Sequence, residues 1–323
     1  MSTLRKIFMA LAITPLLAGN AIASEYPTRP VHLVVPFAAG GPTDAIARIM
    51  ASSFETQSGQ PFVVENRSGA GSTIGTARVA GSTADGYTLL WGSSSAMVIA
   101  PHLYNNLQYD PFQSFEHIGM VAETPYVLLV NAESPYKTYK EMVEAAQQSK
   151  NTLTYGTPGA GTSQHLTIEL MSGESEFDAL HIPFRGGAPA MMALIGKEVD
   201  FVIDVPSAAI PQIEGGKVRP LAVTSPQRVA QLPDVPTLRE EGLSQFQSQA
   251  WFAMFAPKDT PQEALDKLRN MLSTGLQNPE VQAVLNRSHF KASDPKPERL
   301  KETIAREHKM WGEVVSSQKI TLQ

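Results

Sequence analysis

The feature that most constrains this chain is a unit used repeatedly: a short apolar run, a glycine-rich turn, then an amphipathic segment. Residues 31–35 read as a buried strand, 36–42 as a loop, and 43–54 as a helix with Ala45, Ile46, Ile49 and Met50 on one face. Strands at 62–64 and 88–91 follow, separated by the loop 66–72 and a helix at 73–80. The same grammar restarts with a strand at 126–130, a helix at 138–149, a strand at 153–155, a glycine-rich loop at 156–162 and a helix at 163–171. Strands at 179–183, 200–203 and 220–223 alternate with helices at 187–195 and 207–214. Helices at 261–277, 279–286 and 298–316 form a tail, with Pro261 at a first helical position. Such alternation predicts largely parallel sheets covered on both faces. Two sets of this size predict two α/β lobes with a cleft between them, and ligands in such sheets sit beyond the strand ends.

Ahead of that pattern stands a segment of a different kind. Arg5 and Lys6 precede an almost wholly apolar run at 7–18, and Ala21-Ile22-Ala23 follows just before Ser24. A short basic region, an apolar stretch and small residues are the marks of a secretory signal, so residues 1–23 are expected to be removed on export to the periplasm. The run is short for a bilayer span and is interrupted by Pro15 and Gly19. Removal takes two cations and no anions, moving the formal charge from -5 to -7. A nucleic-acid partner, which needs a basic surface, is therefore not expected. The chain contains no cysteine, which excludes disulfides, thiolate metal sites, a cysteine nucleophile and a lipid on an N-terminal Cys.

Catalytic chemistry is hard to find. The histidines, at 32, 102, 117, 165, 181, 289 and 308, form no HExxH pair or other close ligand spacing, so neither a metal nor a cofactor is expected. Gly92-Ser93-Ser94-Ser95-Ala96 approaches a nucleophile elbow, but alanine replaces the final glycine and no His and acid are visibly placed to complete a triad. Gly69-Ala70-Gly71-Ser72-Thr73-Ile74-Gly75 has one residue too many for a dinucleotide fingerprint, and no P-loop lysine follows any of the loops.

What the loops offer is binding. Residues 37–44 and 156–163 each bring backbone N–H groups at a helix start toward the cleft, beside side chains small enough not to block them. Orphan donors and the helix dipole together attract anions. Plain turn geometry is the alternative explanation, since glycine supplies backbone freedom. A net charge of -7 repels an anion at long range, but salt screens that repulsion within about 8 Å.

These loops also carry a resemblance. Tyr26-Pro27-Thr28-Arg29-Pro30 and Pro36 through Asp44 resemble the opening of the Bug family, the substrate-binding proteins of tripartite tricarboxylate transporters. The likeness continues through Val64 to Gly71, Asp85 to Leu90, Tyr155 to Thr162, Pro183 to Ala190, Leu221 to Ser225, Leu232 to Thr237 and Trp251 to Pro257, in the expected order. It implies a type II periplasmic binding protein that is not an enzyme: two α/β lobes, residues 24–124 plus 248–323 and residues 125–247, joined by two crossing segments and closing on a small di- or tricarboxylate or an aromatic acid. It further implies a membrane permease of two subunits that receives the ligand from a monomeric receptor. A signalling receptor docking on a sensor kinase, or less plausibly a hydrolase, stays open as an alternative for the same cleft.

By the same resemblance the ligand would meet Phe37, Ala39, Gly40, Gly41, Thr43 and Asp44 in the first loop, and Thr157, Gly161, Thr162 and Ser163 in the second. Gly92, Ser93, Ser94 and Ser95 would line the first lobe, and Asp204 would stand as a pocket acid at the ligand's distal end. Asp204 has a cap for the helix after Pro206 as its alternative reading, and Arg185 reads as either a carboxylate partner or the partner of a surface acid. Pro42 has no N–H to offer, and Val205 stands where relatives often carry a polar residue, which predicts a drier pocket end.

Overall fold

A computed structural model describes residues 26–148 and 153–321; the expected leader and its cleavage point lie outside the described residues. The first lobe opens with β1 (Val31–Val35), α1 (Pro42–Ser58), β2 (Phe62–Asn66), α2 (Thr73–Ala80), β3 (Thr88–Ser93), α3 (Ala100–Leu103) and β4 (Phe115–Pro125). The second follows with β5 (Val127–Asn131), α4 (Tyr139–Gln148), β6 (Leu153–Thr157), α5 (Ser163–Glu174), β7 (Ala179–Pro183), α6 (Gly187–Ile195), β8 (Phe201–Asp204), α7 (Pro206–Glu214) and β9 (Val218–Val223). The chain then returns through β10 (Gln249–Pro257), α8 (Gln262–Gln277), α9 (Pro279–Arg287), β11 (Lys291–Ala292) and α10 (Pro297–Ser317).

The strand-turn-helix grammar holds locally because its side chains alternate as a buried sheet demands. In β1, Val31, Leu33 and Val35 face one apolar cluster while Val34 faces the other. In β5, Leu128 and Val130 face one cluster of the second lobe, and Val127 and Leu129 its opposite. Helix α1 covers the first sheet with Ile46, Ala47, Met50 and Phe54 and runs to Ser58, four residues beyond the expected end. It stops where Gly59 takes the left-handed conformation (φ 71°) and its N–H bonds to Glu55 O. Pro261 is the N-cap of α8 and not its first helical residue.

The expectation of largely parallel sheets is corrected. Their strand orders are β11-β4-β10-β3-β1-β2 and β7-β6-β8-β5-β9. Strands β1, β2 and β3 run parallel, but β10 is antiparallel to both β3 and β4, and β11 to β4. In the second sheet β6 is parallel to β7 and β8, while β5 is antiparallel to β8 and β9. Mixing follows from connectivity: a strand that arrives from the other lobe, without a helical crossover of its own, enters the sheet from the opposite end. Neither β4 nor β10 follows a glycine-rich turn, so the grammar marks neither strand.

The two crossings are laced together where the lobes meet. Between β4 and β5 only Tyr126 intervenes, and its N–H donates to the Thr224 hydroxyl at 2.8 Å. That hydroxyl donates in turn to Ser248 O at 2.6 Å, just before β10. The N–H of Thr224 returns a bond to Tyr126 O at 3.0 Å. One side chain thus ties both connections together, and buried polar groups satisfied in this way hold a fixed geometry.

Candidate functional site

Between the lobes lies a cavity of about 580 Å³, within the size range of small-molecule sites. The ends of β1, β3 and β8 deliver Phe37, Ser93 to Ser95, and Asp204 to its wall, as the strand-end rule requires. Of the expected residues, Phe37, Thr43, Ser93, Ser94, Ser95, Thr162, Ser163, Arg185 and Asp204 border it.

The remaining expected residues do not border the cavity, and their bonding explains why. The carboxylate of Asp44 is turned inward, accepting from Gly40 N–H (3.0 Å), Arg48 Nε (2.9 Å) and Asn66 Nδ2 (2.9 Å). Burial opposes its ionisation, but the bonds from Arg48, Gly40 and Asn66 outweigh burial and hold the carboxyl below its usual range. The N–H of Gly40 is thereby spent on Asp44, while Ala39 and Gly41 lie outside the wall. Gly92 pairs with Ala253 across the sheet, and a Cβ there would come within 2.5 Å of the Phe255 ring. Thr157 is fully buried, bonded to His181 Nε2 at 2.6 Å, and Gly161 N–H donates to His165 Nδ1 at 3.2 Å.

The last two contacts belong to a stacked aromatic support beneath the second loop. The rings of His165 and His181 stack at 3.9 Å, and both stack on Tyr155, whose hydroxyl bonds Glu169. Burial drives His165 down to about 3 and His181 down to about 4, so both imidazoles are neutral at physiological pH. Because Nδ1 of His165 accepts from Gly161, its proton sits on Nε2, 3.7 Å from Glu169.

Donors remain where the cavity needs them. The Thr162 hydroxyl caps α5 by accepting from His165 N–H. Among the described residues no protein acceptor claims the N–H groups of Thr43, Ser163 or Gln164. On the floor the Tyr126 and Ser163 hydroxyls share a 2.5 Å bond, and Ser95 Oγ reaches Ser163 Oγ at 3.5 Å, joining the two lobes. Arg185 is exposed and makes no salt bridge among the described residues, which answers the surface-acid alternative.

Asp204 is not the cap of α7; that place is taken by Val205. Its Oδ1 accepts from Val205 N–H at 2.8 Å, while a Cβ on Gly187 would lie 3.2 Å from Oδ2. Burial is the larger influence and pushes its carboxyl up to about 6. The site therefore holds a carboxyl group that changes charge just below neutrality.

Several wall residues were not anticipated. The loop of Ser68 to Ser72 lines the first lobe, with Ala70 (φ 45°), Gly71 (φ 60°) and Ser72 (φ 78°) in successive left-handed conformations. Its glycines follow β2 as the other glycine turns follow their strands, and Val64 to Gly71 carry part of the family resemblance. The next glycine, Gly75, lies in α2 and is a packing residue: a Cβ there would meet Arg67 O at 2.8 Å and Pro36 Cβ at 2.9 Å. Tyr126, Phe252 and Phe290 also border the cavity. No local pattern marks them, because they arrive from the crossings and the C-terminal tail.

A cavity walled by two α/β lobes that the chain crosses between twice, and ringed by helix starts, defines a solute-binding receptor. Residues 46–320 match the tripartite tricarboxylate transporter family receptor, and the chain belongs to that family. It is similar to the periplasmic binding protein BugD, at 38% identity and a TM-score of 0.81 over 92% of this chain and 100% of that one. It is also similar to MatC from Rhodopseudomonas palustris with bound malate, at 33% identity and a TM-score of 0.80 over 90% and 100% of the two chains. A further R. palustris protein, solved with adipate, shares 31% identity and a TM-score of 0.83 over 92% and 99%.

Proposed function

We propose that this chain is a periplasmic receptor that takes a small carboxylate into the inter-lobe cavity and hands it to a membrane permease of two subunits. The observation that carries this reading is the convergence on one cavity of N–H groups from two helix starts, α1 and α5, and the guanidinium of Arg185, none of which has a partner among the described residues. Charge-assisted hydrogen bonds contribute about 1.5–3 kcal/mol each, so a few of them support micromolar binding, near -8 kcal/mol, after ordering costs. The malate and adipate held by relatives support the same ligand class.

The receptor acts as a monomer, after cleavage behind Ala23, and performs no reaction on its ligand. Its lobes comprise residues 24–124 plus 248–323 and residues 125–247. Both lobes touch the ligand only when shut, so binding biases the closed state. Beyond Phe37, Thr43, Ser93 to Ser95, Thr162, Ser163, Arg185 and Asp204, the backbone of the 68–72 loop joins the binding wall. A thermal-shift screen of carboxylic acids and neutral sugars tests the reading. A ligand at a hundred times its Kd adds about 2.7 kcal/mol to apparent stability, which raises Tm by several degrees. If sugars raise Tm and no carboxylate does, the proposal fails.

A further inference from the structure

The floor of the cavity and the two crossings belong to one hydrogen-bonded circuit. Tyr126, alone between β4 and β5, donates its N–H to Thr224 Oγ1, which donates to Ser248 O ahead of β10. The circuit closes through the first turn of α5. Thr167 Oγ1 donates to Ser163 O at 2.7 Å and lies 2.5 Å from Ser248 Oγ. A threonine hydroxyl has a single hydrogen, so Ser248 is the donor in that second bond. Ser163 is therefore held from both crossings: its carbonyl through Thr167 and Ser248, its hydroxyl through the 2.5 Å bond to the Tyr126 hydroxyl. Thr167, Thr224 and Ser248 are buried away from the cavity, whereas Tyr126 and Ser163 border it.

The hydroxyl pair has a donor left over. Two hydroxyls that share one hydrogen bond carry two hydrogens, and only one lies in the bond. The other contacts of Ser163 Oγ, to Gln164 Oε1 at 3.4 Å and Ser95 Oγ at 3.5 Å, are beyond the ordinary O–H···O range. Burial pushes the Tyr126 hydroxyl above its usual range, so the pair stays neutral and keeps that hydrogen. A buried donor without a close acceptor is costly, and an anion beside the Ser163 N–H is an acceptor that removes the cost.

We propose that Tyr126 couples the occupied cavity to the crossings: by holding Ser163 Oγ it aims the pair's second hydrogen at the ligand carboxylate, and it carries that contact into the tie between the lobes. This rests on the carboxylate reading above and names the bond through which binding biases closure. Tyr126 acts as a positioning residue, through Ser163. Hydrogen bonds in a chain polarise one another, so a ligand accepting at Ser163 strengthens a circuit that includes both crossings. That circuit is intact only in one arrangement of the crossings, and the ligand thereby favours that arrangement.

The test titrates malate, adipate, citrate and benzoate into the folded, exported chain as wild type, Tyr126→Phe, Ser163→Ala and the double variant. The acid that binds wild type most tightly is then followed by stopped flow. Tyr126→Phe keeps the ring in its core and removes only the hydroxyl. It should weaken that acid about two- to tenfold, the scale of one hydrogen bond, with koff rising while kon holds. Ser163→Ala should weaken it at least as much, and the double variant no more than Ser163→Ala alone, because both changes remove one shared contact. Thr167→Val, which lies outside the cavity, should also raise koff. At saturating acid Tyr126→Phe and Thr167→Val should each show less ligand-induced compaction by X-ray scattering than wild type, a readout that lost stability alone does not move. If Thr167→Val does not fold, the Tyr126 and Ser163 cycle decides by itself. Additive losses in that cycle, or a Tyr126→Phe variant with wild-type koff and compaction, overturn the inference and leave the carboxylate reading standing. Failure of all four acids to bind folded wild type overturns both.

Discussion

The two walls of the cavity are built by the same grammar and differ in chemistry. The first lobe contributes phenylalanines, serines and the left-handed 68–72 loop, and no charged side chain; the second contributes both charged groups, Arg185 and Asp204. Their support differs as well. Beneath the first loop lies an ionised, hydrogen-bonded carboxylate, Asp44, whereas beneath the second lies a neutral stack of His165, His181 and Tyr155. A ligand that spans both walls would meet the rings and the α1 donors on one lobe and both charged groups on the other. Closure is then needed for both terms to act at once, which is how differential contact converts binding into a conformational bias.

The largest expected effect falls on the charged wall. Arg185→Ala should weaken the best carboxylate about tenfold, the scale of one charge-assisted hydrogen bond reduced by solvent exposure. The same substitution should leave Tm without ligand nearly unchanged, because no partner is orphaned. An unaltered Kd by calorimetry would return Arg185 to the surface and erase half of the contrast between the walls.

A smaller effect comes from Asp204. Its carboxyl sits up at about 6 and is negative above that pH, where it repels an anionic ligand in the same cavity. Carboxylate affinity should therefore rise a few-fold as pH falls from about 7 to about 5, and Asp204→Asn should flatten that dependence. A wild-type Kd that is constant across this range, with a ligand whose own charge does not change, removes Asp204 from the ligand's field.

The smallest effect at neutral pH concerns the support. In the folded chain His165 is held near 3, well under its unfolded value of about 6.5, so the unfolded state binds the extra proton between those limits. Stability from this group is present above about 6.5 and drains away as pH falls toward 3. His165→Gln keeps an acceptor for Gly161 N–H without titrating. At neutral pH the variant should differ from the wild type by no more than about 1 kcal/mol. In acid, denaturant titration should show the wild type losing stability relative to it; parallel curves across that window would show that His165 is not the buried neutral base described above.

Much of the site was legible in advance because its loops are local objects. An apolar run, a glycine turn and a helix start lie within about ten residues of one another, which marks the loops at 37–44 and 156–163, while the individual residues in them and Ser93 to Ser95 follow from the family resemblance. At Gly40, Gly161 and Thr157 the structure adds bonding that the sequence leaves open. A sequence shows that a donor exists but not that Asp44, His165 or His181 has already engaged it or its neighbour. Asp204 was seen as a candidate acid, but choosing between cap and cavity needed the position of Val205 at the start of α7.

The sequence by itself determined the α/β character, the doubling into two sets, the absence of thiol chemistry and the family, because alternation, turn residues and motif order are written along the chain. Tertiary structure alone decided the mixed strand order, the tie of Tyr126, Thr224 and Ser248 at the crossings, and the wall of Phe37, Phe252 and Phe290. The physical reason is separation. Residues 37, 252 and 290 share no local period, and only burying both sheets' apolar faces within one chain brings their rings to the same surface.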